Sequence, residues 1–267
     1  MVTHLKYGNT NTYLIRENGK YVLFDTDLPG TIDRFCKILK ERRVDLQDIE
    51  YLFISHFHPD HMGIAQQIAD LGVKIVLVDV QLKYVHASDE ILLKDSKGFA
   101  PVDESKAITL MTRDSRKFLK SVGIEGEILH TPGHSDDSIS LWLDDGSLFV
   151  GDLNPLYEMP LHKGSQVGNT WDQLLKRKPS VIYYGHAKTA NLNDITEDTV
   201  PKSHDEQELH ALVSKIMKYI VRGYDIDKIQ KKTGASKGFI EDVTRMYLTH
   251  QNVGVQGILD RIEIKNR

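Results

Sequence analysis

The sequence predicts an α/β fold built on mixed β-sheets, followed by a helical appendage. Three observations lead there. Two pairs of strand-like segments are joined by short Gly-containing turns, as antiparallel hairpins require. Other strand-like segments are separated by helical ones, as parallel pairing requires. Past about Thr199 the strand pattern gives way to helical periodicity.

The first hairpin pairs Asn11–Arg16 with Tyr21–Asp25 through Glu17-Asn18-Gly19-Lys20, where Asn-Gly supplies positive φ. After the Leu28-Pro29-Gly30 turn, Thr31 is placed to cap a helix reaching about Glu41. Ile32, Phe35, Ile38 and Leu39 share one face of it. Cys36, the single cysteine, falls at the same helical spacing and reads as a packing residue rather than a redox or metal group. The nearly continuous apolar run Ile49–Ser55 predicts a buried strand. A helix over about Gly63–Leu71 and a strand over Val73–Val78 follow. A helical stretch near Gln81–Leu93 then leads into the less patterned segment Lys94–Leu110. A helix near Thr112–Val122 precedes a strand at Glu127–His130. The second hairpin pairs Ile139–Leu143 with Leu148–Val150 across Asp144-Asp145-Gly146, and a last strand, Val181–Tyr184, runs into Gly185-His186.

Residues 1–199 therefore read as one α/β domain and 200–267 as a C-terminal helical extension. The extension carries a stripe of Leu209, Leu212, Val213, Ile216, Met217 and Ile220. Residues 201–267 hold twelve Lys/Arg and nine Asp/Glu, so the tail is net +3 and the remainder net −7. The segment Tyr224–His250 has a helix-turn-helix pattern, with Ile226–Lys232, a turn at Thr233-Gly234-Ala235-Ser236, and Lys237–Leu248. Glu241 and Asp242 on the second helix would oppose phosphates, so nucleic-acid binding is not expected. A two-helix hairpin packed on the main domain, or at a homodimer contact, explains the same pattern.

Hydrophobic content of 40% and charged content of 27% are ordinary for 267 residues that bury a core, and a net charge of −4 gives no reason to expect a polyanionic partner. No stretch approaches ~20 consecutive apolar residues, so no membrane partner is expected. The opening Met1-Val-Thr-His-Leu-Lys lacks a basic segment followed by an apolar run, and with one thiol this predicts a cytoplasmic protein.

The chemistry is concentrated in Ser55-His56-Phe57-His58-Pro59-Asp60-His61. Three imidazoles and a carboxylate lie within six residues, between a predicted strand and a predicted helix. Such nitrogen and oxygen donors suit zinc and other first-row ions, with bonds of roughly 2.0–2.2 Å. Three further donors recur at strand ends, each after a glycine that lets the backbone pass close by: His134 in Pro132-Gly133-His134, Asp152 in Val150-Gly151-Asp152, and His186 in Tyr184-Gly185-His186. Gly-His or Gly-Asp alone is usually only a turn. Three of them beside the first cluster point to one site.

On these residues the chain resembles the metallo-β-lactamase superfamily of hydrolases over roughly residues 5–190, with the His-x-His-x-Asp-His signature intact. The resemblance implies a four-layer αββα sandwich. It also implies that His56, His58 and His134 hold one ion, that Asp60, His61 and His186 hold the other, and that Asp152 bridges them. Phe24-Asp25-Thr26-Asp27 resembles the family's Asp-Thr-Gly turn with Asp27 in place of Gly. Asp25 is thus a candidate to orient a ligand, alongside a plain turn role.

Two divalent ions are the expected cofactors, zinc by default, with manganese or iron accepting the same donors. Their excess charge lets water ionise near pH ~7, so the expected reaction is attack by a bridging hydroxide on a carbonyl or phosphoryl centre, with Asp60 orienting it and managing its proton. True zinc β-lactamases commonly place a Cys at, or lack, the bridging Asp; here the only Cys is at position 36. Glyoxalase II-like proteins usually follow the Pro-Gly-His with a second Gly-His, whereas this chain reads Ser135-Asp136-Asp137-Ser138. Ribonuclease Z-like nuclease motifs are not found, nor is the Glu near position 58 of flavodiiron proteins. Among family branches the pattern is most similar to glyoxalase II and lactonases, which predicts cleavage of an ester, lactone or thioester of a small metabolite. Phosphodiester cleavage is the next reading, and a metal-dependent regulator acting through the C-terminal helices is the reading from another class. The loop after Asp152, Leu153–Gly168, with Tyr157 and His162, is a candidate for reading the substrate or else scaffold.

Overall fold

The computed structural model describes residues 2–17, 19–96, 98–162, 164–192 and 206–249. Asn18 of the first turn, Lys163 and the expected boundary at 199/200 lie outside the described residues. The chain divides into two compact units: Met1–Pro155 with Ser165–Asp194, and Leu156–Gly164 with Ile195–Arg267.

The first unit is a sandwich of two mixed sheets flanked by helices, as the strand pattern and the resemblance led one to expect. Six strands form one sheet in sequence order: β1 (Val2–Leu5), β2 (Thr12–Glu17), β3 (Lys20–Phe24), β4 (Ile49–Phe53), β5 (Lys74–Val78) and β6 (Ile108–Leu110). β1, β2 and β3 are antiparallel, and the Glu17↔Lys20 pair closes the expected hairpin. From β3 to β6 the pairing is parallel, which requires the crossover segments between them. The second sheet has the order β11 (Ala190–Asn191), β10 (Val181–Tyr183), β9 (Ser147–Phe149), β8 (Ile139–Leu143), β7 (Gly126–His130). Only β9–β10 is parallel in it.

Side-chain alternation explains the layering. Tyr13, Ile15, Val22, Phe24, Phe53, Val76 and Val78 point from the first sheet into a core shared with Ile128, Ile139, Leu141, Leu143 and Phe149 of the second. The intervening Leu14, Leu23, Leu52, Ile75 and Leu77 point the other way, onto Phe35 and Leu39 of helix α1 (Ile32–Arg42) and onto Ala65 and Ile68 of α3 (Ala65–Asp70). Strands buried on both faces need continuous apolar runs, and Tyr51–Phe53 and Ile75–Val78 supply them.

Several local expectations differ from the structure. Thr31 occupies the N-cap position of α1, but its hydroxyl donates to Leu28 O (2.7 Å) instead of accepting a helix N–H. The helix expected over Gly63–Leu71 is present as α3, and a separate short helix, α2 (Pro59–Met62), precedes it inside the donor-bearing turn. Of the stretch Gln81–Leu93, only α4 (Asp89–Asp95) is α-helical. β6 lay inside the segment without pattern; three residues are too few for a period to show. The helix near Thr112–Val122 begins as a 3-10 turn, with α5 spanning Ser115–Ser121. The loop after Asp152 is shorter than expected, since Gln166–Leu175 forms α6, which buries Val167, Trp171 and Leu174.

On the surface, the His86 ring lies between Asp89 Oδ2 (2.6 Å from Nδ1) and Glu104 Oε1 (2.9 Å from Nε2). The hydrogen bond to Asp89 raises its pKa, with Glu104 adding and burial opposing. A raised folded-state pKa means that this stabilisation is complete below the unfolded value of ~6.5 and fades as pH rises through the folded value. Because the group is exposed, solvent screening limits it to about 0.5–1 kcal/mol. His86→Gln is therefore expected to lower the melting temperature at pH 6, with a deficit that shrinks by pH 9. A deficit independent of pH would contradict this.

Among its described residues the second unit has the 3-10 helix Leu156–His162 and three α-helices: α7 (Glu206–Val221), α8 (Ile226–Thr233) and α9 (Lys237–Thr249). Val213 and Ile216 of α7, Ile229 of α8, and Ile240 and Val243 of α9 make its core. Asp225 caps α8 by accepting from Lys228 N (2.7 Å), and Gly234 ends it in the left-handed conformation at φ 74°. No helix among the described residues is long and apolar enough to cross a membrane.

Candidate metal centre

All seven donors follow the C-terminal ends of strands in the first unit: His56, His58, Asp60 and His61 after β4, His134 after β7, Asp152 after β9, and His186 after β10. The two sheets meet there. Ser55 O accepts from Ile139 N at 2.8 Å, and Asn11 N donates to Gly185 O at 2.7 Å. The first loop turns at once into α2, where Pro59 at the first helical positions fixes φ without losing a needed donor. That turn carries His61 inward, fully buried, beside the equally buried His56.

The donors form two groups whose ligand atoms lie within 4.8 Å of one another: His56, His58 and His134, and Asp60, His61, Asp152 and His186. In the first group His58 Nδ1 is 3.0 Å from His56 Nε2 and 3.1 Å from His134 Nε2. In the second, His186 Nε2 is 2.8 Å from Asp60 Oδ2, and His61 Nε2 is 3.2 Å from Asp152 Oδ1. Asp152 joins them, its Oδ2 lying 3.7 Å from His134 Nε2 and 3.5 Å from His186 Nε2. The floor is closed and the mouth open: His186 is 39% and His134 29% exposed at the side chain, against zero for His61.

Do these residues fit cations? Ligands about 2.0–2.1 Å from an ion at tetrahedral angles sit roughly 3.3 Å apart, close to the separations in the first group. A sharper sign comes from atoms left without partners. Two of the four such buried side-chain atoms among the described residues are His61 Nε2 and Asp152 Oδ1. His61 Nδ1 faces Asp25 Oδ2 at 2.9 Å, which places its hydrogen there, so Nε2 turns a lone pair toward a carboxylate oxygen. With the ring neutral, two buried acceptors facing each other need a proton or a metal cation between them. The residues fit a pair of divalent ions.

The charge balance agrees. Burial pushes the pKa of His61 down, but Asp25 and Asp152 outweigh it and hold it well above the usual value: a proton does there what a cation would do. Burial, with His61 and His134 adding, holds His56 well below its usual value, and burial lowers His134 too, so both stay neutral with a lone pair to give. Burial would raise Asp60, yet the hydrogen bond from His186 and the nearby His61 bring it down to about 2. Asp152 is likewise lowered against its burial by His61.

Behind the donors lie further groups, of which the sequence pointed only to Asp25. Asp25, 1% exposed and at φ 65°, accepts from both His61 Nδ1 and Ser55 N (2.6 Å). The structure thus sets it against a donor histidine and not only in a turn. Asp27, where the family's turn has Gly, accepts from Thr10 N (3.1 Å) and Leu28 N (2.7 Å), while Thr10 Oγ1 donates to Asp60 O (2.6 Å). Asp137 accepts from Phe57 N (2.7 Å), so part of the Ser135-Asp136-Asp137-Ser138 run ties the His134 loop to the first one. Thr170 Oγ1, on α6, donates to Pro132 O (2.6 Å) beside His134. His162 lies in the 3-10 helix of the second unit, and the side chain of Tyr157 lies outside the described residues.

Comparison with known proteins gives the family. A model of the metallo-beta-lactamase superfamily matches residues 5–186, and the chain belongs to that superfamily. It is similar to a "Beta-lactamase-like protein 2 homolog" of Drosophila melanogaster, 27% identical over 66% of this chain and 58% of the relative. It is also similar to the "Probable metallo-hydrolase YqjP" of Bacillus subtilis, 24% identical over 70% of this chain and 69% of the relative. The chain spans about half the length of the first curated relatives it matches: 58%, 43% and 41%. Among solved structures, a metallo-beta-lactamase family protein from Thermus thermophilus aligns at TM-score 0.51 and 22% identity, covering 80% of each chain. The BLEG-1 B3 metallo-beta-lactamase aligns at 0.55 and 18% identity, over 72% of this chain and 95% of that one. These likenesses show the fold.

Proposed function

We propose that this member of the metallo-β-lactamase superfamily is a metal-dependent hydrolase holding two divalent ions, zinc by default, and that it cleaves an ester, lactone or thioester of a small molecule. One observation carries the reading: seven donors converge on one partly exposed site, with the buried His61 Nε2 and Asp152 Oδ1 facing each other at 3.2 Å. His56, His58 and His134 would hold one ion, Asp60, His61 and His186 the other, with Asp152 between them. The name of the Bacillus relative, a probable metallo-hydrolase, is in keeping with this.

Bound there, the ions would polarise the substrate oxygen and lower the pKa of water toward ~7. The chain's own residues do the rest. Asp60, 29% exposed at the mouth, holds its carboxylate against His186 and is the base placed to take a proton from the attacking water and, once protonated, the acid to return it to the leaving group. Thr10 steadies it by donating to its carbonyl. The fully buried His56 and His61 keep water from the back of the site, so attack comes from the open side. The donor set has no thiol, the only Cys being Cys36 on α1, which argues against a thiolate-ligated lactamase-type site. The choice of a carboxyl over a phosphoryl substrate rests on the likeness of the Asp152-containing donor set to the glyoxalase II and lactonase branches.

The test is a panel of p-nitrophenyl esters, a lactone, a thioester and bis-p-nitrophenyl phosphate, run on metal-replete protein. We expect turnover of the carboxyl compounds that a chelator abolishes and zinc restores. Turnover of the phosphodiester alone would move the substrate class to phosphodiesters. No turnover of any member would overturn the hydrolase reading.

A further inference from the structure

Ser55 stands immediately before the first donor histidine and is 1% exposed. Its Oγ is 3.0 Å from His56 Nδ1 and 3.3 Å from His61 Nδ1, so one hydroxyl touches a histidine of each donor group. A neutral imidazole carries its hydrogen on one nitrogen and a lone pair on the other. For His56 Nε2 to offer its lone pair toward His58 and His134, the hydrogen must sit on Nδ1, and it then needs an acceptor. Ser55 Oγ is that acceptor. The reverse arrangement, with the hydroxyl donating to Nδ1, would put a hydrogen on Nε2 and aim it at the other donors.

The hydroxyl cannot easily go elsewhere. Ser55 N donates to Asp25 Oδ1 at 2.6 Å, and its carbonyl accepts from Ile139 N at 2.8 Å, which pins the backbone from both sheets. Gly151, at φ 54°, packs on the hydroxyl so closely that a Cβ there would lie 2.4 Å from Ser55 Oγ. A neighbour larger than Gly151 does not fit. Asp25, by contrast, bonds the ring of His61 alone.

We propose that Ser55 is a positioning residue shared by both halves of the metal centre: its Oγ accepts from His56 Nδ1 and so fixes that tautomer, and it stands beside Asp25 as a second, longer acceptor for the hydrogen on His61 Nδ1, so that one hydroxyl sets the affinity for both ions. This rests on the reading that the seven donors hold two cations. Residues that orient ligands from behind typically change metal affinity about 10–100-fold when removed.

Two measurements test it. Long-range 15N–1H NMR of the metal-free wild-type protein reads the tautomer directly, with no substitution to disturb the fold. We expect hydrogen on Nδ1 and a lone pair on Nε2 of His56; hydrogen on Nε2 would overturn the proposal. Zinc titration of Ser55→Ala against a chromophoric chelator should then show both ions bound roughly 10–100-fold more weakly than in the wild type. A merely structural serine would lower the melting temperature and leave both affinities within threefold. That result, or weakening of one ion only, would also overturn the shared role. Should the wild-type protein take up no zinc, the metal reading fails, and the tautomer measurement still decides what Ser55 does.

Discussion

Gly185→Ala should leave the chain folded while dismantling its metal centre. A Cβ at Gly185 would lie 2.6 Å from Asp152 Oδ1 and 2.7 Å from His61 Cε1, well inside contact distance of two donors at once. The backbone cannot retreat, because Gly185 N donates to Gly151 O and its carbonyl accepts from Asn11 N, both at 2.7 Å. The donors must therefore move. Overpacking of this kind costs about 1–3 kcal/mol, less than the ~5–15 kcal/mol of a typical domain, so folding should survive. A displacement near 1 Å at reacting groups can cost about 100-fold in rate. The expected result is a cooperative melt, loss of at least one ion per chain and kcat/KM down roughly 100-fold or more. A variant that kept its ions and its rate would show that these donors are not where the chemistry happens.

Asp152→Ala should be more severe. Its carboxylate approaches histidines of both groups, 3.2 Å from His61 and 3.5 and 3.7 Å from His186 and His134. Removing it takes away the one negative charge that the two halves share and leaves His61 Nε2 facing an empty volume. Loss of a residue acting as part of a catalytic unit can cost on the order of 10³–10⁴ or more in kcat/KM. There is also a readout that needs no substrate. An ion that binds only the folded chain stabilises it by RT ln(1 + [L]/Kd), about 2.7 kcal/mol at a hundred times Kd. Zinc should therefore raise the melting temperature of the wild type, and chelation should lower it, while Asp152→Ala responds far less. An equal zinc response in both proteins would count against a bridging role for Asp152.

Much of the site was legible because its chemistry is written in residue types that are rare at such spacing. His56, His58, Asp60 and His61 announce themselves within six positions, and His134, Asp152 and His186 each follow a glycine at a strand end. Imidazole and carboxylate at a sheet edge have few other reasons to gather. The residues behind them carry no such mark. Ser55, Thr10 and Thr170 are ordinary small polar residues, and only the fold shows that their hydroxyls meet His56, the Asp60 carbonyl and the Pro132 carbonyl. Asp137 looked like part of a departure from one family branch, yet its carboxylate bonds the backbone of Phe57, a contact across 80 positions that no local pattern encodes.

The fold divides along the same line. Apolar runs and glycine turns give the paired strands, because period and turn chemistry are local. The three-residue β6 is held by its pairing with β5 and not by a pattern of its own. Gln81–Leu93 reads as a helix by composition. Instead Gln81 is buried, its side chain donating to Ile54 O (2.8 Å) and accepting from Val78 N (3.2 Å), and the chain turns there to serve the sheet. Tertiary contacts overrode propensity at that point.

In the proposed site five imidazoles and two carboxylates enclose a pair of cations. The most direct test is the metal content of protein dialysed against zinc, measured by inductively coupled plasma mass spectrometry. Two ions per chain in the wild type, falling in variants of either donor group, is the result expected. A wild-type protein that retains none would contradict the account.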